Sequence, residues 1–183
     1  MSWFNLVCGI PSPSNVETRI VATNGRSRLV SATLEKDRSR SPVTPSNRDF
    51  ESELFDLVDE HQQSIGLQPL ARLRVLDEIA LPHTRHMFQA NLVSHDNHKS
   101  RFQQVLDLGF PSRAENCAGG ECYPSEIEAM MDLVVPGWLQ SPKHREAIET
   151  PQFTHSGFAL LITQHREMLD RVVFFAIQVF TAF

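Results

Sequence analysis

The sequence predicts an α+β fold in which helices come first and two strands close the chain. Two observations predict it. In several stretches between Phe50 and Ile148, apolar residues recur at spacings of three and four, which indicates amphipathic helices. The segments Ser156–Thr163 and Val172–Phe180 are instead apolar runs rich in Val, Ile and Phe, which indicates buried strands. Because the charged connection between these runs is short, we expect an antiparallel pair, with helices and strands segregated along the chain.

Length and composition favour one domain with a tail. The chain has 183 residues, 41% of them hydrophobic, which is enough for one core but too few for two ordinary domains. The formal net charge of -5 and the pI near 5.9 argue against nucleic acid as a partner. No stretch reaches the roughly 18 apolar residues of a spanning helix, so we expect no transmembrane segment.

The tail is predicted at the N terminus. Residues 1–47 mix Ser, Pro, Thr, Asn and Arg, and residues 1–50 hold seven Lys or Arg against four Asp or Glu. We therefore expect a flexible or weakly ordered basic leader over 1–47 and a folded domain over 48–183. Residues Trp3–Ile10 are mildly apolar but lack a preceding basic residue, so they make a weak export signal.

The first two helices are predicted from caps and spacing. Ser46 is a capping residue with an acid three places on, and the apolar spacing that follows predicts a helix that Gly66 ends. A second helical stretch begins near Ala71. Pro82 lies within it and should kink the helix or split it in two, because proline removes a backbone donor and clashes with the preceding turn.

Three further helices are predicted before the strands. One fits Arg101–Leu108 and is closed by Gly109. Another opens with a capping box at Ser125 and is disrupted at Pro136. The last is brief and has Pro142 in its first turn.

Four segments of the chain resemble a known family. They are His83-Thr84-Arg85-His86-Met87 with Asn91-Leu92-Val93-Ser94-His95; Arg101-Phe102 with Leu108-Gly109-Phe110 and Ala114-Glu115-Asn116; Trp138-Leu139-Gln140-Ser141-Pro142-Lys143-His144-Arg145; and Phe153-Thr154-His155-Ser156-Gly157 with Gln178-Val179-Phe180. Their order and content resemble the bacterial branch of the CAP superfamily, which includes cysteine-rich secretory proteins, antigen 5 and plant pathogenesis-related proteins. The resemblance implies an α-β-α sandwich with a small antiparallel sheet between helices. Ala114 and Lys143 depart from it, each replacing a glycine.

The resemblance also implies a central cavity with two histidines and two acids. The matching positions are His95, Glu115 and His155. Ser141 occupies the place of the second acid, so the four-group site is incomplete. His144 lies nearby in sequence and could approach the cavity.

Two neutral imidazoles suit zinc or a similar divalent ion, and a carboxylate can orient one of them. His95 and His155 are therefore the candidate metal ligands, in an open, weak and pH-dependent site. The alternative is that both histidines brace a buried polar cavity through hydrogen bonds. His83 and His86 are three residues apart, but no third ligand motif accompanies them, so we expect packing or surface roles.

Three residues are assigned structural roles. Trp138 is expected in the core, as aromatic residues usually are. Cys117 and Cys122 bracket a sequence that resembles a flexible turn, which would allow a disulfide in an oxidising compartment. In the cytosol both thiols would be reduced, and a metal site there would need another ligand such as His98.

The predicted function is that of a non-enzymatic binding module. The resemblance implies a small molecule, a lipid or a protein as partner, and an extracellular or cell-envelope location. The weak export signal leaves a cytoplasmic location open. The alternatives are a metal-dependent hydrolase using the same cavity and a purely structural interaction domain. Ser94 and Ser156 flank the two predicted cavity histidines, but neither lies in a recognisable nucleophile motif.

Overall fold

The computed structural model describes residues 47–182. The helices are α1 (Asn47–Ser64), α2 (Arg74–Ala90), α3 (His98–Asp107), α4 (Ile127–Met131), α5 (Val134–Gln140) and α6 (Pro142–Glu149). The strands are β1 (Ala71–Arg72), β2 (Ser112–Cys122), β3 (His155–Gln164) and β4 (Val172–Ala182). The predicted leader lies outside the described residues except for Asn47, which begins α1. Within residues 47–182, no helix combines the length and the apolar character needed to cross a membrane.

The four strands form one sheet in the order β1, β3, β4, β2. β3 and β4 pair antiparallel, as the sequence predicted, and β1 adds a short parallel pairing to β3. β2 pairs antiparallel with β4 along its whole length, from Ser112 opposite Ala182 to Cys122 opposite Val172. β4 is therefore central, and β2 forms one border of the sheet.

Two hydrophobic cores lie on opposite faces of this sheet. Alternate residues of a strand point to opposite faces, and β4 divides accordingly. Phe174, Ala176 and Phe180 belong to the core shared with α1, α4, α5 and α6, whereas Phe175 and Ile177 belong to the core shared with α2 and α3. Helices thus cover both faces, and the expected α-β-α sandwich is confirmed.

Of the two outcomes predicted for Pro82, a kinked second helix or a split one, the split does not occur. α2 runs unbroken from Arg74 to Ala90 with Pro82 inside it. Pro82 lies on the exposed face, so the carbonyl of Glu78, which loses its usual donor, can be hydrated by solvent. The predicted ends of the first and third helices are confirmed, since Gly66 and Gly109 follow them with left-handed φ angles of 83° and 91°.

Two expectations for the middle of the chain are also wrong. The capping box lies earlier in the chain than predicted at Ser125, because Glu126 accepts a hydrogen bond from the Tyr123 backbone N–H at 3.0 Å. Pro136 does not disrupt a helix either. It is the third residue of α5, in the first turn, where backbone N–H groups have no intrahelical acceptor and a proline is tolerated.

The predicted turn between Cys117 and Cys122 is likewise wrong, because both residues lie on the extended strand β2. Cys117 packs in the core on the α2 side and Cys122 in the core on the α1 side. Five residue-to-residue steps along the strand separate their Cα atoms by about 17 Å, and a disulfide requires less than about 7 Å. Both thiols are free.

Side chains form hydrogen bonds with backbone groups along both borders of the sheet. On β2, the Trp138 indole Nε1–H donates to the Cys117 carbonyl at 3.1 Å. On β3, Asp77 accepts from the Phe158 N–H at 2.7 Å, and Glu51 accepts from the Leu160 N–H at 3.0 Å. Trp138 is buried, as expected.

Candidate functional site

Glu115 is the centre of a buried hydrogen-bond network on β2. Arg101 donates to both of its carboxylate oxygens, Nε to Oε2 at 3.0 Å and Nη2 to Oε1 at 2.7 Å. His95 approaches the same Oε1 through Nδ1 at 2.7 Å. Arg101 and Glu115 are 5% and 6% exposed, so this bidentate ion pair is removed from water.

Local structure explains how three separate segments meet here. Glu115 faces the α2 and α3 side of the sheet, as does Cys117 two residues on. Arg101 and Val105 are the buried residues of α3 and lie one turn apart, on the face directed to the sheet. Arg101 also donates from Nη1 to the Asp96 carbonyl at 2.6 Å, which fixes the loop that carries His95.

The network keeps Glu115 ionised at neutral pH. Burial by itself raises the pKa of a carboxyl group. The hydrogen bonds from His95 and Arg101, together with the Arg101 charge, outweigh the burial and hold the pKa of Glu115 below its ordinary value. The carboxylate therefore accepts hydrogen bonds and does not donate one.

His144 reaches the same region from the opposite layer. It lies on α6, and its ring centroid is 6.5 Å from that of His95. Its backbone carbonyl accepts a hydrogen bond from Asn116 Nδ2 at 3.0 Å. Burial first, and then the charge of His95, lowers the pKa of His144 to about 4, so the ring is neutral at neutral pH. Among the described residues, its buried Nδ1 has no hydrogen-bond partner.

The structure places His155 elsewhere on the sheet. It pairs with Thr181 of β4, whereas Glu115 pairs with Val179 from the other side of β4. Two strands and a two-residue offset separate the Cα atoms of His155 and Glu115 by about 12 Å. The Thr154 hydroxyl lies 2.8 Å from His155 Nδ1, and the Phe110 ring centroid is 6.2 Å away. Metal ligation by His155 stays a prediction.

The remaining predicted residues also have defined places. Ser141 is buried and directly precedes α6, three positions before His144. His83 is buried, and its Nε2–H donates to the Ser94 carbonyl at 2.6 Å. The His83 and His86 rings stack at 5.7 Å. Burial is the main cause that lowers the pKa of His83 to about 4.

Sequence reasoning missed two contributors to this network. Arg101 lies in a family-like segment, but no role is predicted for it. Its signal is a charged residue one helical turn before Val105 on the apolar face of α3. Cys117 is predicted to pair with Cys122 in an oxidising compartment, yet its Sγ lies 3.7 Å from His95 Nδ1.

The open space beside the network is small. A cleft lined by His95, His98, Phe102 and Glu115 has a volume of about 10 Å³. A cavity needs roughly 10–15 Å³ to hold one water. The cleft therefore has about the size of one water or one ion.

The sequence profile of the family described as "CAP: Cysteine-rich secretory protein family" matches residues 55–180, which include this entire network. The chain belongs to the CAP family. Among curated proteins, the uncharacterized protein YkwD of Bacillus subtilis (strain 168) is 28% identical to this CAP chain over 130 residues. The match covers 69% of this chain and 48% of YkwD, so the chain spans about half the length of that relative.

Two solved structures share the CAP fold described above. An outer surface protein from Borrelia burgdorferi superposes with a TM-score of 0.56 at 16% identity, covering 75% of this chain and 96% of that protein. An extracellular protein containing a SCP domain from Bacillus anthracis str. Ames superposes with a TM-score of 0.54 at 24% identity, covering 79% of this chain and 45% of that protein. At these identities the likeness concerns the fold alone.

Proposed function

We propose that this CAP domain is a non-enzymatic binding module that acts outside the cytoplasm. Its partner, a protein, a lipid or a small molecule, binds on the surface, and the central site holds at most one weakly bound divalent ion. The observation that carries this proposal is the buried bidentate pair of Arg101 and Glu115 beside a cleft of about 10 Å³.

Glu115 is better suited to orient a ligand than to be one. Its two oxygens already accept three hydrogen bonds from Arg101 and His95. Direct ligation would break a buried ion pair, and breaking such a pair typically costs about 3–5 kcal/mol. When Nδ1–H of His95 donates to the carboxylate, Nε2 is left as the ligating nitrogen. Orienting a ligating histidine in this way is the usual outer-shell role of a carboxylate.

The second ligand is His144. Its ring is neutral, close to His95, and carries a buried nitrogen that has no partner among the described residues. The donor set therefore fits a zinc-like ion, which would lie between the imidazoles of His95 and His144 when bound. Two protein nitrogens bind such an ion loosely, so we expect weak affinity.

The serines near the site favour a non-enzymatic role. Ser94 Oγ accepts a hydrogen bond from the Asp96 N–H at 3.3 Å, and Ser156 Oγ accepts one from Gln178 Nε2 at 2.9 Å. Both residues are buried. A nucleophilic serine needs instead an adjacent base and access to a substrate.

A surface groove supports the binding of an external partner. It lies at the β3 border of the sheet between α1 and α2, has a volume of about 460 Å³, and is lined in part by Glu51, Arg72, Asp77 and Phe158. Ligand sites typically have about 300–1,000 Å³. The two similar structures, one of an outer surface protein and one of an extracellular protein, support the proposed location.

A zinc titration followed by thermal unfolding tests the central site. An ion bound only by the native state raises the unfolding free energy by about 2.7 kcal/mol at 100 times Kd. We expect His95→Gln and His144→Gln to abolish the rise in Tm, and His86→Gln, on a more exposed histidine, to retain it.

The same titration decides between His144 and His155. Loss of the rise in His155→Gln but not in His144→Gln would assign the second ligand to His155 and overturn the assignment of His144. A chelator-sensitive hydrolytic activity against ester and amide substrate panels, lost in His95→Gln, would contradict the non-enzymatic role.

A further inference from the structure

A second group of ligating atoms lies beside the Arg101–Glu115 pair. Donor atoms of His83, Glu115 and Cys117 all lie within 4.8 Å of one another, and all three residues are buried. This group is on the α2 side of the sheet, whereas His144 approaches from α6. It therefore shares Glu115 with the central site but uses different nitrogen and sulfur donors.

The charges in this group determine which ion it suits. The Glu115 charge is already matched by Arg101, so the free donors are the neutral imidazole of His83 and the thiol of Cys117. When an ion binds, the thiol loses its proton and contributes one negative charge. A monovalent ion would leave the group neutral, and a divalent ion would leave a net positive charge in a buried place beside Arg101, which is costly.

We propose that His83 and Cys117 form a buried site for Cu(I). Thiolate and imidazole are the soft donors that select Cu(I) over harder ions. Thiolate–metal and imidazole–metal bonds of zinc-like length add to about 4.4 Å, which matches a donor separation below 4.8 Å.

Two contacts prepare these donors. The His83 Nε2–H donates to the Ser94 carbonyl, which fixes the tautomer and leaves Nδ1 without a proton. Cys117 Sγ lies 3.7 Å from His95 Nδ1. Binding exchanges the thiol proton for the metal: Cu(I) and the protonated thiol give the copper thiolate and one released proton, with no change of oxidation state.

The test is transfer of Cu(I) from a coloured bathocuproine complex to the full chain, under anaerobic and reducing conditions. The starting protein is Cys8→Ser/Cys122→Ser, which removes the cysteine outside the described residues and the one in the opposite core. We expect this starting protein to take up one equivalent of copper from the bathocuproine complex and to release one proton per copper. Adding Cys117→Ser or His83→Gln should weaken uptake by more than about 100-fold, beyond the loss typical of an outer-shell change.

His144→Gln is the matched control and should leave copper uptake unchanged, which separates this site from the zinc site of the proposed function. X-ray absorption of the loaded starting protein should show a sulfur ligand, and it remains decisive if Cys117→Ser does not fold. A copper shell of nitrogen and oxygen only, or uptake that survives Cys117→Ser, would overturn the proposal.

Discussion

At the scale of single residues, the ion pair of Arg101 and Glu115 is the most consequential interaction of the site. Both residues are buried, and each oxygen of the carboxylate faces a guanidinium nitrogen. Such a pair adds little net stability over well-packed apolar residues, but removing one partner leaves an uncompensated buried charge. The pair therefore fixes the position of α3 and of His95 relative to β2.

Replacing Arg101 by Met should lower the unfolding free energy by about 3–5 kcal/mol, because Glu115 then remains buried and charged. The double variant Arg101→Met/Glu115→Gln should recover much of that loss. Urea denaturation of both variants measures these changes in the unfolding free energy. Arg74→Met is the control, since Arg74 forms an exposed pair with Glu78 at 3.5 Å and should change stability by less than about 1 kcal/mol. Equal losses in the single and double variants would contradict this account.

The site could be predicted from the sequence only in part. His95 and Glu115 lie in family-like segments, and the structure brings them into contact. Arg101 was not assigned, because its place one helical turn before Val105 is a weak local signal that does not by itself show whether the side chain faces solvent or the sheet. The preference for His144 over His155 required the position of α6, which packs over the border strand and depends on long-range contacts.

At the scale of the elements, α2 lies directly against β3 at Gly157. A Cβ atom at Gly157 would overlap with the Leu76 Cβ and would lie 2.6 Å from the Asp77 backbone nitrogen. These atoms belong to the first turn of α2 and cannot rotate away. The absence of a side chain at Gly157 therefore sets the distance between helix and sheet.

Gly157→Ala should consequently displace α2 and destabilise the domain by about 1–3 kcal/mol or more, in the range of overpacked cores. Thermal and urea unfolding measure this. Gly120→Ala is the matched comparison on β2, where the new Cβ would meet chiefly the Phe174 ring at 2.9 Å. We expect a smaller loss there, because a ring can shift more easily than a helix backbone. An equal or greater loss at Gly120 would show that the contact with α2 is not limiting.

Elements with strong local signals were predicted correctly, and those without them were not. α1, α6, β3 and β4 have caps, prolines or apolar runs that act locally. β2 was missed because Ala118, Gly119 and Gly120 have low strand propensity. These small residues are required by close neighbours, since a Cβ at Gly119 would lie 2.7 Å from Val93. That constraint arises from packing and is not visible in the local sequence.

At the scale of the whole molecule, buried histidines make stability depend on pH. The pKa values of His83 and His144 are lowered to about 4, whereas an unfolded histidine titrates near 6.5. As pH falls below about 6.5, the unfolded chain binds protons that the folded domain does not. The stabilisation is therefore complete above about pH 6.5 and is lost toward pH 4. The lowered pKa of Glu115 acts in the same direction at lower pH.

Urea midpoints measured at pH 7.5, 6.5, 5.5 and 4.5 should therefore decrease steadily. Each histidine accounts for a loss of up to about 3 kcal/mol in the unfolding free energy. In His144→Gln the slope between pH 6.5 and 4.5 should be about half of that in the unchanged protein. Glu51 and Asp59 oppose this trend at the acid end, because burial raises their pKa values. A midpoint that stays constant from pH 7.5 to 5.5 would contradict the role of both histidines.

The side-chain hydrogen bonds along the borders of the sheet also affect whether two copies of this domain can pair edge to edge. An open strand can serve as a template for another chain, and such templating leads to fibrils. An incoming strand at β3 would find the Phe158 and Leu160 N–H groups already bonded to carboxylates, and at β2 it would meet the Trp138 ring over the Cys117 carbonyl. Charged and bulky side chains at these positions therefore protect the folded domain against amyloid-like growth.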